Sequence, residues 1–122
     1  MTLYERVGGD PFFAALITRF YAAVAADPVL RPLYPADLGP PADRLRAFLV
    51  QYWGGPTTYS EERGHPRLRM RHIPFAIGPA ERDAWLAHMA TAVGSSGAAP
   101  AEQAELLAYF ADAAEFLLNR PA

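Results

Sequence analysis

Three histidines, His65, His72 and His88, are the side chains best suited to acid–base or metal chemistry, and their spacing limits what they can do. There is no His-Glu-x-x-His pair, and His65 to His72 is too wide for one helix face, so a zinc hydrolase centre has no support. Ser60, Ser95 and Ser96 sit in ordinary turn contexts without a glycine elbow. Glu61 and Glu62 are neighbours, and adjacent carboxylates point apart, as they do on a solvated loop. The chain has no cysteine, which removes disulfides, thiolate metal sites, thiol nucleophiles and covalent thioether attachment of a cofactor. It also has no lysine: all eleven cations among Lys and Arg are arginine, so Schiff-base chemistry and a P-loop lysine are excluded as well.

The segment from Tyr59 to Phe75 stands apart. Arg63, Arg67, Arg69 and Arg71 alternate with Leu68 and Met70 and lead to His72, with Pro74-Phe75 just beyond. If 66–72 is helical, Leu68 lies one turn before His72 on the same face, setting an imidazole beside an apolar surface and between guanidinium groups. Taken alone, this is a basic surface segment with one histidine packed at a helix end. The arginines form one small cluster in a chain of formal charge -2 and pI near 5.9, which suits the two or three anionic groups of a small ligand better than a nucleic acid. A haem would use every feature: one imidazole for iron (His72), an apolar wall (Leu68), and Arg71, with Arg67 or Tyr59, for its propionates. Periodicity does not choose between haem and another flat anionic ligand.

The elements that must position this segment are helical throughout. Asp10-Pro11 opens a helix whose Phe13, Leu16, Ile17, Phe20, Tyr21 and Val24 share one face, and Asp27-Pro28 stops it. A short turn then runs through Val29-Leu30 to Leu33-Tyr34. A second helix starts near Pro40-Pro41, buries Leu45, Phe48, Leu49 and Tyr52, and ends at Gly54-Gly55-Pro56. Residues 56–65 read as a loop. Pro66 opens a short helix to Arg71 or His72. Pro79 opens a helix bearing Trp85, Leu86, Met89 and Val93, and Pro100 opens a last one with Leu106, Leu107, Phe110, Ala113, Ala114 and Leu117. No strand alternation or internal repeat occurs, so an all-α domain of about five helices over 1–122 is expected. The 122 residues are 52% apolar and 20% charged, and no stretch is long and apolar enough to span a membrane. The first residues lack the charge-then-apolar pattern of a signal peptide, which makes the cytoplasm the expected location.

The motifs then carry a resemblance. Tyr4-Glu5-Arg6-Val7-Gly8-Gly9, Arg19-Phe20-Tyr21, Leu33-Tyr34-Pro35, Phe48-Leu49-Val50-Gln51-Tyr52-Trp53-Gly54-Gly55-Pro56, Gly64-His65-Pro66-Arg67-Leu68-Arg69-Met70-Arg71-His72, Ile73-Pro74-Phe75 and Glu81-Arg82-Asp83-Ala84-Trp85 follow one another in the order of the group II truncated haemoglobins. The chain resembles that family from near residue 4 to the C-terminal helix, which itself matches only in apolar pattern. The resemblance implies a truncated globin: a two-over-two helical sandwich around a haem b. It assigns His72 as the proximal iron ligand, and Tyr21, Tyr34 and Trp85 as the polar groups of the distal side. Leu45, Phe48 and Leu49 fall on distal and side walls, Tyr59, Leu68, Arg71, Phe75 and Trp85 join the cofactor-binding set, and Met89 follows Trp85 by one turn. His65 and His88 have no ligand role in the match. Pro41 falls near the distal-histidine position of larger globins, offers no hydrogen bond, and is left outside the site set. The function so implied is binding of O2, NO and CO, with redox detoxification of NO or peroxide supported by a reductase. A reversible oxygen carrier or sensor is the alternative. The resemblance is compatible with a homodimer and with no nucleic-acid partner.

Overall fold

Each of the four long helices has a proline in its first turn, where the missing N–H would have had no partner. The computed structural model describes residues 1–120 and places these helices at α2 (Asp10–Ala26), α3 (Gly39–Tyr52), α6 (Pro79–Gly94) and α7 (Pro100–Phe116). Between and before them run α1 (Leu3–Arg6), a 3-10 turn (Arg31–Leu33), α4 (Thr58–Arg63) and α5 (Leu68–His72). No strand occurs among the described residues.

The long helices form two packed pairs. α2 lies against α3 in one and α6 against α7 in the other, and α2 also packs on α6 to join them. The apolar face read from α2 is the face that is buried: Phe13, Leu16, Ile17, Phe20, Tyr21 and Val24 all enter the core. They meet Leu49 and Val50 from α3, Met89, Ala92 and Val93 from α6, and Leu106 and Phe110 from α7. Trp53, just past α3, stacks on Phe13 at 6.0 Å between ring centres and meets the edge of Phe110 at 5.8 Å. Aromatic pairs of this kind add to the burial of apolar area.

The short helices correct the five-helix expectation. In α1 the Thr2 hydroxyl accepts the Glu5 N–H (3.2 Å) and the Glu5 carboxylate accepts the Thr2 N–H (3.0 Å), a reciprocal cap that stabilises a single turn. Residues 56–65, expected as a loop, contain α4. The Gln51 side chain, one residue before the end of α3, accepts the Ser60 N–H (2.9 Å) and donates to its hydroxyl (2.6 Å), while Tyr59 is buried beneath. Two tertiary anchors thus hold a helix that has no apolar period of its own. At the bend between α3 and α4, Gly54 has φ +102°, and a Cβ there would lie 2.5 Å from the Thr2 methyl. The N-terminal arm therefore closes directly over the turn.

Candidate functional site

The two helix pairs and the 3-10 turn leave one large cavity of about 470 Å³, within the ~300–1,000 Å³ usual for a small-molecule site. Its lining brings together Tyr21, Tyr34, Leu45, Phe48, Leu49, Tyr59, Leu68, Arg71, His72, Phe75 and Trp85 from five helices and two loops. Met89 is not among them. It is wholly buried in the core shared by α2, α6 and α7. Four residues along a helix rotate the side chain by about 40°, enough to turn Met89 from the cavity shared by Trp85 into the helix interface.

The His72 ring has its orientation fixed by its own helix. Nδ1 lies 2.6 Å from the Leu68 carbonyl oxygen, one turn back. A carbonyl only accepts, so Nδ1 carries the proton, and the neutral ring keeps an unprotonated lone pair on Nε2. The half-buried imidazole sits 6.3 Å from the Phe75 ring centre, edge to face.

At the arginine-rich margin, Arg71 donates to the Tyr59 hydroxyl (3.0 Å) and to the Arg63 carbonyl (3.1 Å). With a third bond to the His65 carbonyl (3.4 Å), these leave part of its five-donor guanidinium uncommitted at the edge of the cavity. Arg67 does not line the cavity. Arg63, from the same basic cluster, does, together with Arg44 and Arg82, to which the sequence reading gave no site role. Arg82 is held by Asp83 (2.7 Å) and by Glu115.

Tyr21, Tyr34 and Trp85 form the polar part of an otherwise apolar wall. The Tyr21 and Tyr34 rings meet edge to face at 5.6 Å, and Phe20 bridges Tyr21 and Trp85 at 5.1 and 5.4 Å. Burial pushes the Tyr34 hydroxyl up to about 12, with the neighbouring Trp85 and Tyr21 side chains opposing. Tyr21 is pushed up further, chiefly by burial and then by Tyr34, with Arg44 opposing. Both phenols are therefore protonated at neutral pH. The Tyr21 and Tyr34 hydroxyls and the Trp85 indole N–H are thus the three side-chain donors of this part of the lining.

Further lining residues come from segments read only as core or connection. Phe110, Ala113, Ala114 and Leu117 belong to the apolar stripe of α7, and Leu30, Leu33 and Pro35 to the turn after α2. Tyr109, Ile77 and Glu81 carried no distinguishing pattern. Pro41, left out of the site set, is buried in the first turn of α3 and lines the cavity.

This lining fits a haem on its own chemistry. It offers one imidazole with a free Nε2, facing apolar and aromatic walls, and arginines at the margin for two carboxylates. No cluster of three His, Cys, Asp or Glu residues able to hold a metal occurs among the described residues. Nor does any helix reach the length and apolarity needed to cross a membrane.

Comparison with known proteins agrees. The family model described as bacterial-like globin matches residues 2–119. The group 2 truncated hemoglobin YjbI of Bacillus subtilis is 45% identical over 94 residues, covering 77% of this chain and 70% of that protein. Among solved structures, a thermostable hemoglobin from the actinobacterium Thermobifida fusca superposes with a TM-score of 0.97 at 56% identity, with 100% of each chain covered. A truncated oxygen-avid haemoglobin from Bacillus subtilis superposes with a TM-score of 0.92 at 38% identity, over 98% of this chain and 100% of that one. With a family model matched over nearly its whole length and relatives this similar, the chain belongs to the bacterial-like globins, among the group II truncated haemoglobins, whose haem binds small diatomic ligands such as O2.

Proposed function

We propose that this chain holds haem b non-covalently through His72 Nε2, and that its distal hydrogen-bond donors retain O2 long enough for redox chemistry on NO or peroxide. A bound haem supplies the iron centre at which O2, NO and CO are taken up. Without cysteine there is neither a thioether bond nor a thiolate ligand to consider, and His72 is the one histidine that lines the cavity. The observation that carries the reading is the Nδ1 bond of His72 to the Leu68 carbonyl, which fixes the tautomer an iron ligand needs. Leu45, Phe48, Leu49, Leu68 and Phe75 supply the apolar slot, and Arg71 braced by Tyr59 meets a propionate.

Tyr21, Tyr34 and Trp85 set the retention time. A ligand that gains negative charge on binding is stabilised by roughly 1.5–3 kcal/mol per donor. Each donor therefore slows release by about one to two powers of ten. Slow release suits turnover better than delivery, and turnover requires a reductase or another electron donor. The oxygen-avid relative from Bacillus subtilis supports the same reading.

The test has three arms. Titration with haem produces a Soret band in the wild-type protein; no band removes the proposal. His72→Ala abolishes axial ligation, and a wild-type ferrous spectrum in that variant overturns the ligand assignment. Turnover of NO or peroxide with a reductant separates the enzyme from a reversible carrier or sensor, which binds O2 without consuming either.

A further inference from the structure

The geometry points to Asn119 as the residue that positions His72, closing the proximal wall of the cavity from the C-terminal side. The inference rests on the haem reading for its functional meaning, though not for its structural basis. α5, which carries His72, cannot hold its own orientation. It has five residues, far below the roughly 12–15 at which an isolated helix becomes marginal, and it buries no side chain. Its entry residue, Arg67, is in the left-handed region at φ 48°, a conformation that a residue with a Cβ adopts only when its surroundings enforce it.

Two clamps from outside supply what α5 lacks. On one side Arg71 grips Tyr59 and the Arg63 carbonyl. On the other, Asn119 uses its whole carboxamide. Its Nδ2 donates to the Phe75 carbonyl (2.8 Å) and to the carbonyl of His72 itself (3.2 Å). Its Oδ1 accepts the Ile77 N–H (2.8 Å). The backbone N–H groups of Asn119 and Arg120 then both donate to the Ile77 carbonyl, at 2.9 and 3.1 Å.

This pattern fixes the amide orientation, because the flipped form would set oxygen against two carbonyls. It also selects the residue type: aspartate has the same shape but no donors, and a longer side chain would displace the loop. Phe75 and Ile77 line the cavity as well, so one side chain anchors both the ligand-bearing helix and the wall beside it.

The experiment uses the haem-loaded protein with Asn119→Asp, Asn119→Ala and, as a control for C-terminal packing, Leu118→Ala. Three quantities are read: amide hydrogen exchange, haem transfer to excess apomyoglobin, and the iron–histidine stretching band of the ferrous form. In N119D, which loses both Nδ2 donations but still accepts the Ile77 N–H, exchange at Phe75 and haem loss each accelerate by about tenfold, the equivalent of one lost net hydrogen bond or slightly more. The stretching band shifts or broadens, while exchange in the cores of α2 and α6 stays as in the wild type. N119A adds an acceleration of exchange at Ile77, and L118A keeps the wild-type band. A wild-type band with wild-type exchange at 75 and 77 in both Asn119 variants overturns the proposal, as does a uniform acceleration that includes α2 and α6. If the wild type takes up no haem, the haem reading fails, and the exchange arm still decides whether Asn119 holds the loop.

Discussion

Tyr21, Tyr34 and Trp85 meet on one wall of the cavity, where the Tyr21 and Tyr34 rings stand edge to face at 5.6 Å. Burial keeps both phenols protonated at neutral pH, so each offers an O–H donor. Replacing Tyr34 by Phe removes a donor that faces the ligand, and O2 dissociation is expected to accelerate by about 10–100-fold. Tyr21→Phe removes a second donor from the same wall, and an acceleration of the same order is expected. Stopped-flow release of O2 from both variants measures the two effects, and a wild-type rate in either variant would assign that tyrosine to packing alone. Because Tyr34 titrates only near 12 and Tyr21 higher still, neither proton is lost in the neutral range, and ionisation of these tyrosines gives the rates no pH dependence there. Met89 makes the complementary case. Its wholly buried position in the helix core predicts that Met89→Ala costs about 2–5 kcal/mol of stability in urea unfolding, with O2 dissociation close to wild type. A large kinetic effect with little loss of stability would return Met89 to the haem wall.

Among the elements, those that bury a periodic face were legible in the sequence, and those held by tertiary anchors were not. The stripe of α2 and the proline starts of α3, α6 and α7 follow from local rules that hold before any packing is known. α4 has no such stripe; it exists because Gln51 reaches Ser60 and because Tyr59 finds a buried place, both contacts across a turn. α1 did carry a signal, the Thr2-x-x-Glu5 cap, in a segment too short for periodicity to register. Within the site, His72, Leu68 and Arg71 stood out because unlike chemistries alternate there. Tyr109, Ala113 and Leu117 did not, since a cavity wall and a packed core select the same apolar residues. Gly54 shows how tightly the short elements are docked. Gly54→Ala places a methyl against Thr2 and holds a non-glycine residue at φ +102°. A loss of about 1–3 kcal/mol is expected, with fraying of α1. Chemical denaturation and exchange at Leu3–Arg6 measure both, and unchanged values would mean that the arm yields freely.

For the whole molecule, the tie that joins the end of α2 to α6 makes one carboxylate a contributor to acid stability. Asp27 lies 2.6 Å from His88 Nε2 and accepts the Val29 N–H at 2.7 Å, so it caps the turn after α2 while reaching across to the other helix pair. The His88 bond, and after it the Val29 N–H, holds the Asp27 carboxyl below its ordinary value. A carboxyl that releases its proton more readily when folded stabilises the fold once pH exceeds its unfolded range, near about 4. That contribution is lost as pH falls through the lowered folded value, because the proton then binds both states alike. Asp27→Asn should therefore lower the melting temperature at pH 7, and the gap from wild type should narrow as the solution is acidified below about 4. Melting curves of the two proteins from pH 7 down to 3 follow the gap directly. The Val29 N–H keeps its acceptor in the amide, so a gap that stays constant would mean that the carboxylate's charge is not its source and would remove the titration of Asp27 from the account. A gap that closes shows that the Asp27 carboxylate, reaching from the end of α2 to His88 on α6, contributes to how the fold around the cavity withstands acid.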